Sequence, residues 1–359
     1  MNARCGALLT AMLGREESSL DSFVISSRVN TRYFTGFTGS NSLTIVSPGG
    51  CALITDFRYV LQARQQCLAD CEIIEAGRGM ERAALAQQLE RFRCVNTGFE
   101  DEALPVSMLH VWRDIPVNWR AASGMLKGIR AIKSEDELSL IRRAQRVSEL
   151  AYSELLKRIK PGMCERDAAI ELEYLIRRGG AESLSFDTIV ASGENGAQCH
   201  ALPSDRKFRH GDLVVLDFGS RVGGYCSDMT RTIAIGEPSK RLRSVYDIVL
   251  EAQLAALDAL KPGMTGKELD ASARDAIAKY GYAEYFGHGL GHGFGLEVHE
   301  APTANPRSED VLLPGMTITV EPGIYLPQEG GVRIEDCCAL TQSGFQNLVS
   351  VPKELHIIE

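Results

Sequence analysis

The feature that most constrains this chain is that it states one plan twice. Lys160–Pro161–Gly162–Met163 ends one helical pattern, and Lys261–Pro262–Gly263–Met264 ends another. Pro-Gly closes many helices, so the tetrapeptide alone carries little weight. More recurs, however. HALP at 200–203 is answered by HEAP at 299–302, and the carboxylates Asp217 and Asp228 are answered by Glu321 and Glu335, again on β-forming segments. The separations are 101 residues from Met163 to Met264, 99 from His200 to His299 and 104 from Asp217 to Glu321. Three matched features at nearly one offset imply a duplicated unit, and an interface between two such units is a natural place for a pocket.

Each copy opens on helices. Ser134 with Glu137 forms a capping box, and Leu138, Ile141, Ala144, Val147, Leu150, Ala151 and Leu155 follow at helical spacing. A second helix over about 165–178 stops at Gly179–Gly180; in the second copy a helix over about 241–260 precedes another that ends at Tyr280–Gly281. Upstream of about residue 130 the pattern differs. Runs at 22–26, 42–47 and 51–55 read as strands separated by Gly/Ser/Asn/Pro turns, and 81–92 has helical spacing. That region reads as a small α/β domain with no obvious metal or nucleophilic chemistry. The expected division is 1–131 and 132–359, which suits the size limits of hydrophobic cores.

Charge and composition exclude several classes. A net charge of −8 and a pI near 5.5 lack the basic footprint of a nucleic-acid binder. No run approaches the roughly 20 apolar residues of a membrane span. The apolar stretch 7–13 follows Arg4 but leads into Gly14, Arg15, Glu16 and Glu17 without a cleavage site, so an amphipathic first helix is expected rather than a signal. Ten scattered cysteines with no CxxC pair are expected to be reduced thiols of a cytoplasmic protein.

The acids sit where acids are costly. The run 212–218 and the run 225–235 are β-forming, with 219–224 as a turn. A hairpin centred on Val222/Gly223 sets Asp217 opposite Asp228, with Cβ atoms about 4.5–5.5 Å apart and like charges repelling. A lone strand Asp is explained by an edge or a cap; two in register call for a shared divalent cation. Glu321 ends the apolar run 316–320, and alternation over 331–335 puts Arg333 and Glu335 on one face. A surface salt bridge between those two is the simpler alternative.

Glycine occupies every odd position from 287 to 295, which excludes a helix at about 1 kcal/mol per glycine. An extended course puts His288, Leu290, His292 and Phe294 on one side and lets another backbone approach from the other. One imidazole among four carboxylates describes an oxygen-rich site for Mn²⁺ or Co²⁺, with Zn²⁺ also compatible. His288 and His299 remain for proton handling or oxyanion contact.

Taken together, LDFG (216–219), YCSDMTRT (225–232), GHGFG (291–295), VHEAP (298–302), TVEPGIY (319–325) and GGVRIED (330–336) resemble the pita-bread metallopeptidases, the family of methionine aminopeptidase, Xaa-Pro aminopeptidase and Xaa-Pro dipeptidase. NTRYFTGFTG (30–39) and LITDFRY (53–59) look like the creatinase-type N-terminal domain of that family. The resemblance implies an α+β fold: a duplicated pita-bread catalytic domain behind a smaller α/β domain. It implies two metal ions, with Asp217 bidentate on one, Asp228 and Glu335 bridging, and His292 and Glu321 completing the other. It also implies catalytic roles for His200, His288, His299 and Glu321, with Arg333 supporting the bridging glutamate, and a homodimer.

The expected activity is cleavage of the N-terminal Xaa-Pro bond of short peptides with proline second, as an Xaa-Pro aminopeptidase; the alternative is an Xaa-Pro dipeptidase (prolidase) restricted to dipeptides. A metal-free creatinase-like amidinohydrolase, or a non-catalytic binding protein on the same fold, would be expected to lack ligands that this chain retains. No nucleic-acid or membrane partner is expected.

Overall fold

The computed structural model describes residues 2–14 and 19–359. Arg15, Glu16 and Glu17, which close the apolar N-terminal run, lie outside the described residues. The chain divides into two compact units, Met1–Arg130 and Ala131–Glu359. Among the described residues no helix is long and apolar enough to cross a membrane.

The first unit is built on a six-stranded mixed sheet. Its strands are β1 (Ser22–Ile25), β2 (Leu43–Ser47), β3 (Gly50–Thr55), β4 (Cys71–Glu75), β5 (Asn96–Phe99) and β6 (Asn118–Ala121), in the order β4-β3-β2-β1-β5-β6. Strands β1 to β3 pair antiparallel, β2 and β3 through a tight turn, whereas β3–β4, β1–β5 and β5–β6 are parallel and need helical crossovers. The helices are α1 (Ala3–Leu13), α2 (Arg28–Thr35), α3 (Val60–Gln66), α4 (Glu81–Arg91), α5 (Val106–Trp112) and α6 (Ser123–Ala131). The amphipathic reading of α1 holds: Cys5, Leu8 and Met12 are its buried stripe. Val24, Ile45, Leu85, Leu89 and Trp112 pack into one core.

The second unit shows the duplication in its hydrogen bonds. The first copy opens on α7 (Glu135–Leu156) and α8 (Glu165–Arg178), the second on α9 (Lys240–Ala259) and α10 (Gly266–Ala278). After α7, Gly162 donates to Phe208 O and Phe208 donates back to Met163 O; after α9, Gly263 donates to Leu312 O and Leu312 donates back to Met264 O. The pairs differ by 101 residues at the turn, the spacing expected, and by 104 at its partner residue. Gly162 and Gly263 sit at φ 84° and 88°, a left-handed turn that glycine enters without Cβ strain. Capping boxes start α7 at Ser134/Glu137 and α10 at Thr265/Glu268. Two residues of the expected α7 stripe depart from it: Val147 is half-buried and Leu150 is 49 % exposed, because the buried line follows Ile141, Ala144, Ser148, Ala151 and Leu155.

The strands of the first copy are β7 (Ser183–Leu184), β8 (Ile189–Ser192), β9 (Leu213–Phe218), β10 (Ser220–Val222), β11 (Tyr225–Cys226) and β12 (Met229–Ile235). Those of the second are β13 (Gly291–Gly293), β14 (Glu300–Ala304), β15 (Thr317–Val320), β16 (Gly323–Leu326), β17 (Gly330–Arg333), β18 (Asp336–Leu340) and β19 (Phe345–Asn347). A last strand, β20 (His356–Ile358), pairs in parallel with β12 and so ties the end of the second copy to the sheet of the first. Val249, Ala252, Leu269 and Ile277 of α9 and α10 pack on Ile318, Val320, Ile324 and Val332 to form a hydrophobic core.

Candidate metal centre

Asp217 lies on β9, and Asp228 immediately precedes β12. The expected pairing of the two is not formed. Asp217 faces Thr230, and the hairpin is centred between Gly223 and Gly224, both left-handed at φ 58° and 86°. The register is therefore two residues from the one expected. Side chains alternate with period two, so Asp228 still shares the face of Asp217 on the diagonal.

Glu321 follows β15, and Glu335 stands in the break between β17 and β18 rather than inside a strand. Thr230 joins the copies here: its backbone carbonyl accepts from Glu335 N, and its hydroxyl donates to Glu335 Oε2 at 2.8 Å. The salt bridge considered between Arg333 and Glu335 is replaced by another. Arg333 is 3 % exposed and donates from Nη2 to Asp217 Oδ2 at 2.5 Å, from Nε to Thr230 Oγ1 and from Nη1 to the Tyr325 hydroxyl. Alternation over 331–335 gave the face of Arg333 correctly, but its partner is 116 residues away. Thr230 and Tyr325 had no sequence signal of their own.

The glycine–histidine run bends at His288 and at Leu290 before β13 begins, so its four large residues do not share one side. His288 and His292 line the cavity, while Leu290 and Phe294 are fully buried, Leu290 in the core beneath α9 and α10. The close approach expected of the glycines is present: a Cβ on Gly291 would lie 2.0 Å from Thr319 O, and one on Gly293 would lie 2.3 Å from Ala301 O. Arg274 of α10 clamps the run from outside, donating to the carbonyls of Phe286 and His288, while Asp270 accepts from Leu290 N. In the first copy Glu165, fully buried, accepts from Ser192, Asn195 and Ser204 and so holds the loop that carries His200.

His292 Nδ1 faces Gly293 O at 3.1 Å. Donation there leaves the Nε2 lone pair toward the acids, the tautomer a ligand needs. Nε2 lies 3.3 Å from Glu321 Oε1 and 3.7 Å from Asp228 Oδ2. Ligand atoms of Asp228, His292 and Glu335 all fall within 4.8 Å of one another. Asp217 and Glu321 line the same cavity of about 500 Å³, as do His200, His288 and His299. His299 packs edge-on against His292 with ring centroids 4.3 Å apart, and His288 Nε2 meets the Tyr325 hydroxyl at 2.8 Å. His200 and His299 are exposed; His288 is half-buried.

The electrostatics favour a cation. Burial, then the charges of Glu335, Asp217 and Glu321, push Asp228 well above the carboxylate range. Burial, then Glu321 and Asp217, do the same to Glu335. Burial also raises Asp217, against the pull of Arg333. Burial opposes ionisation of Glu321 too, but the hydrogen bond and charge of His292 hold it below its usual value. Asp217 Oδ1 is buried without a hydrogen-bond partner among the described residues. An orphaned carboxylate oxygen and several acids that cannot all ionise together fit divalent metal.

Four carboxylates and one imidazole from the two copies line one cavity together with further histidines, an arrangement suited to metal-dependent hydrolysis. Residues 139–342 match metallopeptidase family M24 and residues 4–132 match the Creatinase/Prolidase N-terminal domain. The chain belongs to the M24 family and is a metallo-exopeptidase with the pita-bread α+β fold. It is 37% identical over 344 residues to an Xaa-Pro dipeptidase of Pyrococcus furiosus, spanning 95% of this chain and 96% of that protein. A solved Xaa-Pro dipeptidase from Bacillus anthracis superposes with a TM-score of 0.95 at 41% identity, covering 99% of each chain. An X-Pro aminopeptidase from Thermotoga maritima superposes at 0.89 and 39% identity, over 94% of this chain and 98% of that one.

Proposed function

We propose that this chain hydrolyses the peptide bond between a free N-terminal residue and a following proline, with Xaa-Pro dipeptides as its substrates. The observation that carries this is the shared cavity of Asp217, Asp228, His292, Glu321 and Glu335, together with the relatives named as Xaa-Pro dipeptidases. Those five residues would hold two divalent ions, Mn²⁺ first among the choices and Co²⁺ or Zn²⁺ next. When bound, such ions supply an activated water and polarise the scissile carbonyl.

The chain's own groups then divide the remaining work. Glu321, held ionised by His292, is the acceptor for the proton lost by water and returns it to the leaving nitrogen. His299 and His200, open to the cavity, are donors for the scissile oxygen, and burial, then His292, lower the pKa of His299 so that the neutral ring prevails near pH 7. His288 is held by Tyr325, and Arg333 orients Asp217 and pulls against the burial that raises its pKa. Proline at the second position has no N–H to donate, so shape must recognise its ring; Phe186, Ile189 and Val298 supply apolar wall. A cytoplasmic homodimer is part of the proposal by analogy with the family.

One observation favours the aminopeptidase reading, cleavage of the same bond in longer peptides. A dipeptide places its C-terminal carboxylate inside the site, where a cation would be expected to receive it. Among the described residues lining the cavity the one arginine or lysine is Arg333, and its guanidinium is engaged by Asp217, Thr230 and Tyr325. Mass spectrometry of products from Ala-Pro and from Ala-Pro-Xaa-Xaa, with Mn²⁺ added back, decides between the readings. A dipeptidase leaves the longer peptide intact, and failure to cleave either substrate would overturn both.

A further inference from the structure

Behind Glu335 the two copies are joined a second time. Thr230 and Arg231 are consecutive on β12, and Glu335 immediately precedes Asp336, the first residue of β18. Side chains alternate along an extended chain, so the two members of each pair point apart. On the cavity side Thr230 Oγ1 donates to Glu335 Oε2 at 2.8 Å; on the reverse side Arg231 Nη2 donates to Asp336 Oδ1, also at 2.8 Å. Arg231 and Asp336 are both buried, and neither lines the cavity.

Arg231 uses every N–H it has. Nη1 donates to the carbonyls of Thr230 at 3.0 Å and Glu335 at 2.6 Å, Nη2 to Asp336 and to Val351 O, and Nε to Pro352 O. A guanidinium carries its five donors in one fixed plane, so these acceptors are held in a single arrangement. Asp336 is as fully engaged. Its second oxygen accepts from Lys353 Nζ at 2.7 Å and from Asn347 Nδ2 at 2.6 Å. Tyr246 of α9 donates to Lys353 O at 2.6 Å and so ties the segment 351–353 to that helix.

A buried ion pair is weak grounds for stability, because desolvating both charges offsets most of their attraction. What this pair does fix is the main chain at Glu335, whose N–H is bonded to Thr230 O and whose carbonyl is bonded to Arg231. Glu335 belongs to neither β17 nor β18, so it lacks the support of a strand ladder. Like charges crowded into one cavity repel, and a carboxylate among them keeps its place only if its backbone is held. We propose that Arg231 and Asp336, locked by the segment 351–353, are positioning residues that fix Glu335 for metal. This rests on the reading of Glu335 as a metal ligand.

The test measures Mn²⁺ binding by calorimetry, and melting with and without Mn²⁺, on the full-length protein and three variants. Arg231→Lys keeps the charge opposite Asp336 but offers three donors to five acceptors. Lys353→Met removes one donor to Asp336 and keeps the length of the side chain. Glu335→Ala removes the proposed ligand itself. The expected result is Mn²⁺ affinity lower by about 10–100-fold in Arg231→Lys, and lower by less in Lys353→Met. A ligand stabilises the folded state according to its affinity, so the gap in melting temperature between loaded and stripped protein should narrow in both. Amide hydrogen exchange over 330–338 should be faster in stripped Arg231→Lys than in stripped wild type. A merely structural pair would lower both melting temperatures alike and leave affinity and gap at wild type, which overturns the proposal. Wild-type binding by Glu335→Ala overturns the ligand reading and the proposal with it. Loss of binding there, with wild-type affinity in the other two, overturns the positioning role alone. Should Arg231→Lys fail to fold, Lys353→Met decides.

Discussion

Arg333 reaches across from the second copy to hold one oxygen of Asp217 at 2.5 Å, while the other oxygen of that carboxylate has no hydrogen-bond partner among the described residues. One side of Asp217 is thereby committed to the protein and the other is left for a ligand. Arg333→Lys would keep the charge but lose the fork that also reaches Thr230 and Tyr325. We expect metal affinity or kcat/KM to fall about 10–100-fold, the range for residues that orient ligands. Calorimetric Mn²⁺ titration of the folded variant checks this; wild-type affinity and rate would show that Arg333 does not act on the site.

Asp228→Ala and Glu335→Ala should each abolish metal-dependent hydrolysis of Xaa-Pro substrates. Metal analysis of the purified variants, beside a circular dichroism check of folding, separates loss of ions from loss of structure. Full activity of either variant in metal-stripped buffer refutes the ligand assignment.

Metal removal should destabilise the protein more as pH rises. In the stripped protein Asp228 and Glu335 titrate well above ordinary carboxylates, so the folded state binds their protons more tightly than the unfolded state does. The stability they contribute is full below an unfolded pKa of about 4 and is lost as pH climbs toward their raised folded values. Bound cations remove that penalty. The gap in melting temperature between loaded and stripped protein should therefore widen between pH 5 and pH 8; a constant or narrowing gap counts against the cluster.

Gly291→Ala should cost about 1–3 kcal/mol as an overpacked contact, because the new methyl would meet backbone at Thr319 O rather than a side chain able to move. The strain falls between His292 and Glu321, so metal affinity should drop along with the melting temperature. A neutral substitution would show that the two backbones have room to separate.

Arg274→Ala leaves the carbonyls of Phe286 and His288 without their donors. Losing one such interaction is worth about 1.4 kcal/mol, a roughly tenfold fall in kcat/KM, with metal content unchanged. Equal loss of bound metal would instead place the clamp under His292.

The duplication was legible because its marks are local chemistry. A capping serine, a Pro-Gly stop and an apolar spacing act over a few residues, so Ser134, Gly162 and Gly263 could be read without a partner. The hairpin register was not legible to the residue: Val222, Gly223 and Gly224 permit two turn centres, and the choice lies in which pair of residues takes left-handed angles. Because the error was an even number, Asp217 and Asp228 kept a common face. The partner of Arg333, the bends at His288 and Leu290, and the supports from Thr230, Tyr325, Glu165 and Asp270 depend on contacts between distant segments, for which strand alternation offers a face but no address.

The repeat has a consequence for what the cavity can distinguish. Its two walls descend from one pattern, yet one bears the short acids Asp217 and Asp228 and the other the longer acids Glu321 and Glu335 with an imidazole beside them. A mould made of two identical halves would accept a molecule equally well forwards or backwards. Unlike walls give the cleft a sense of direction, and a cutter that works only from one end of a strand of amino acids needs that polarity before it needs any chemistry.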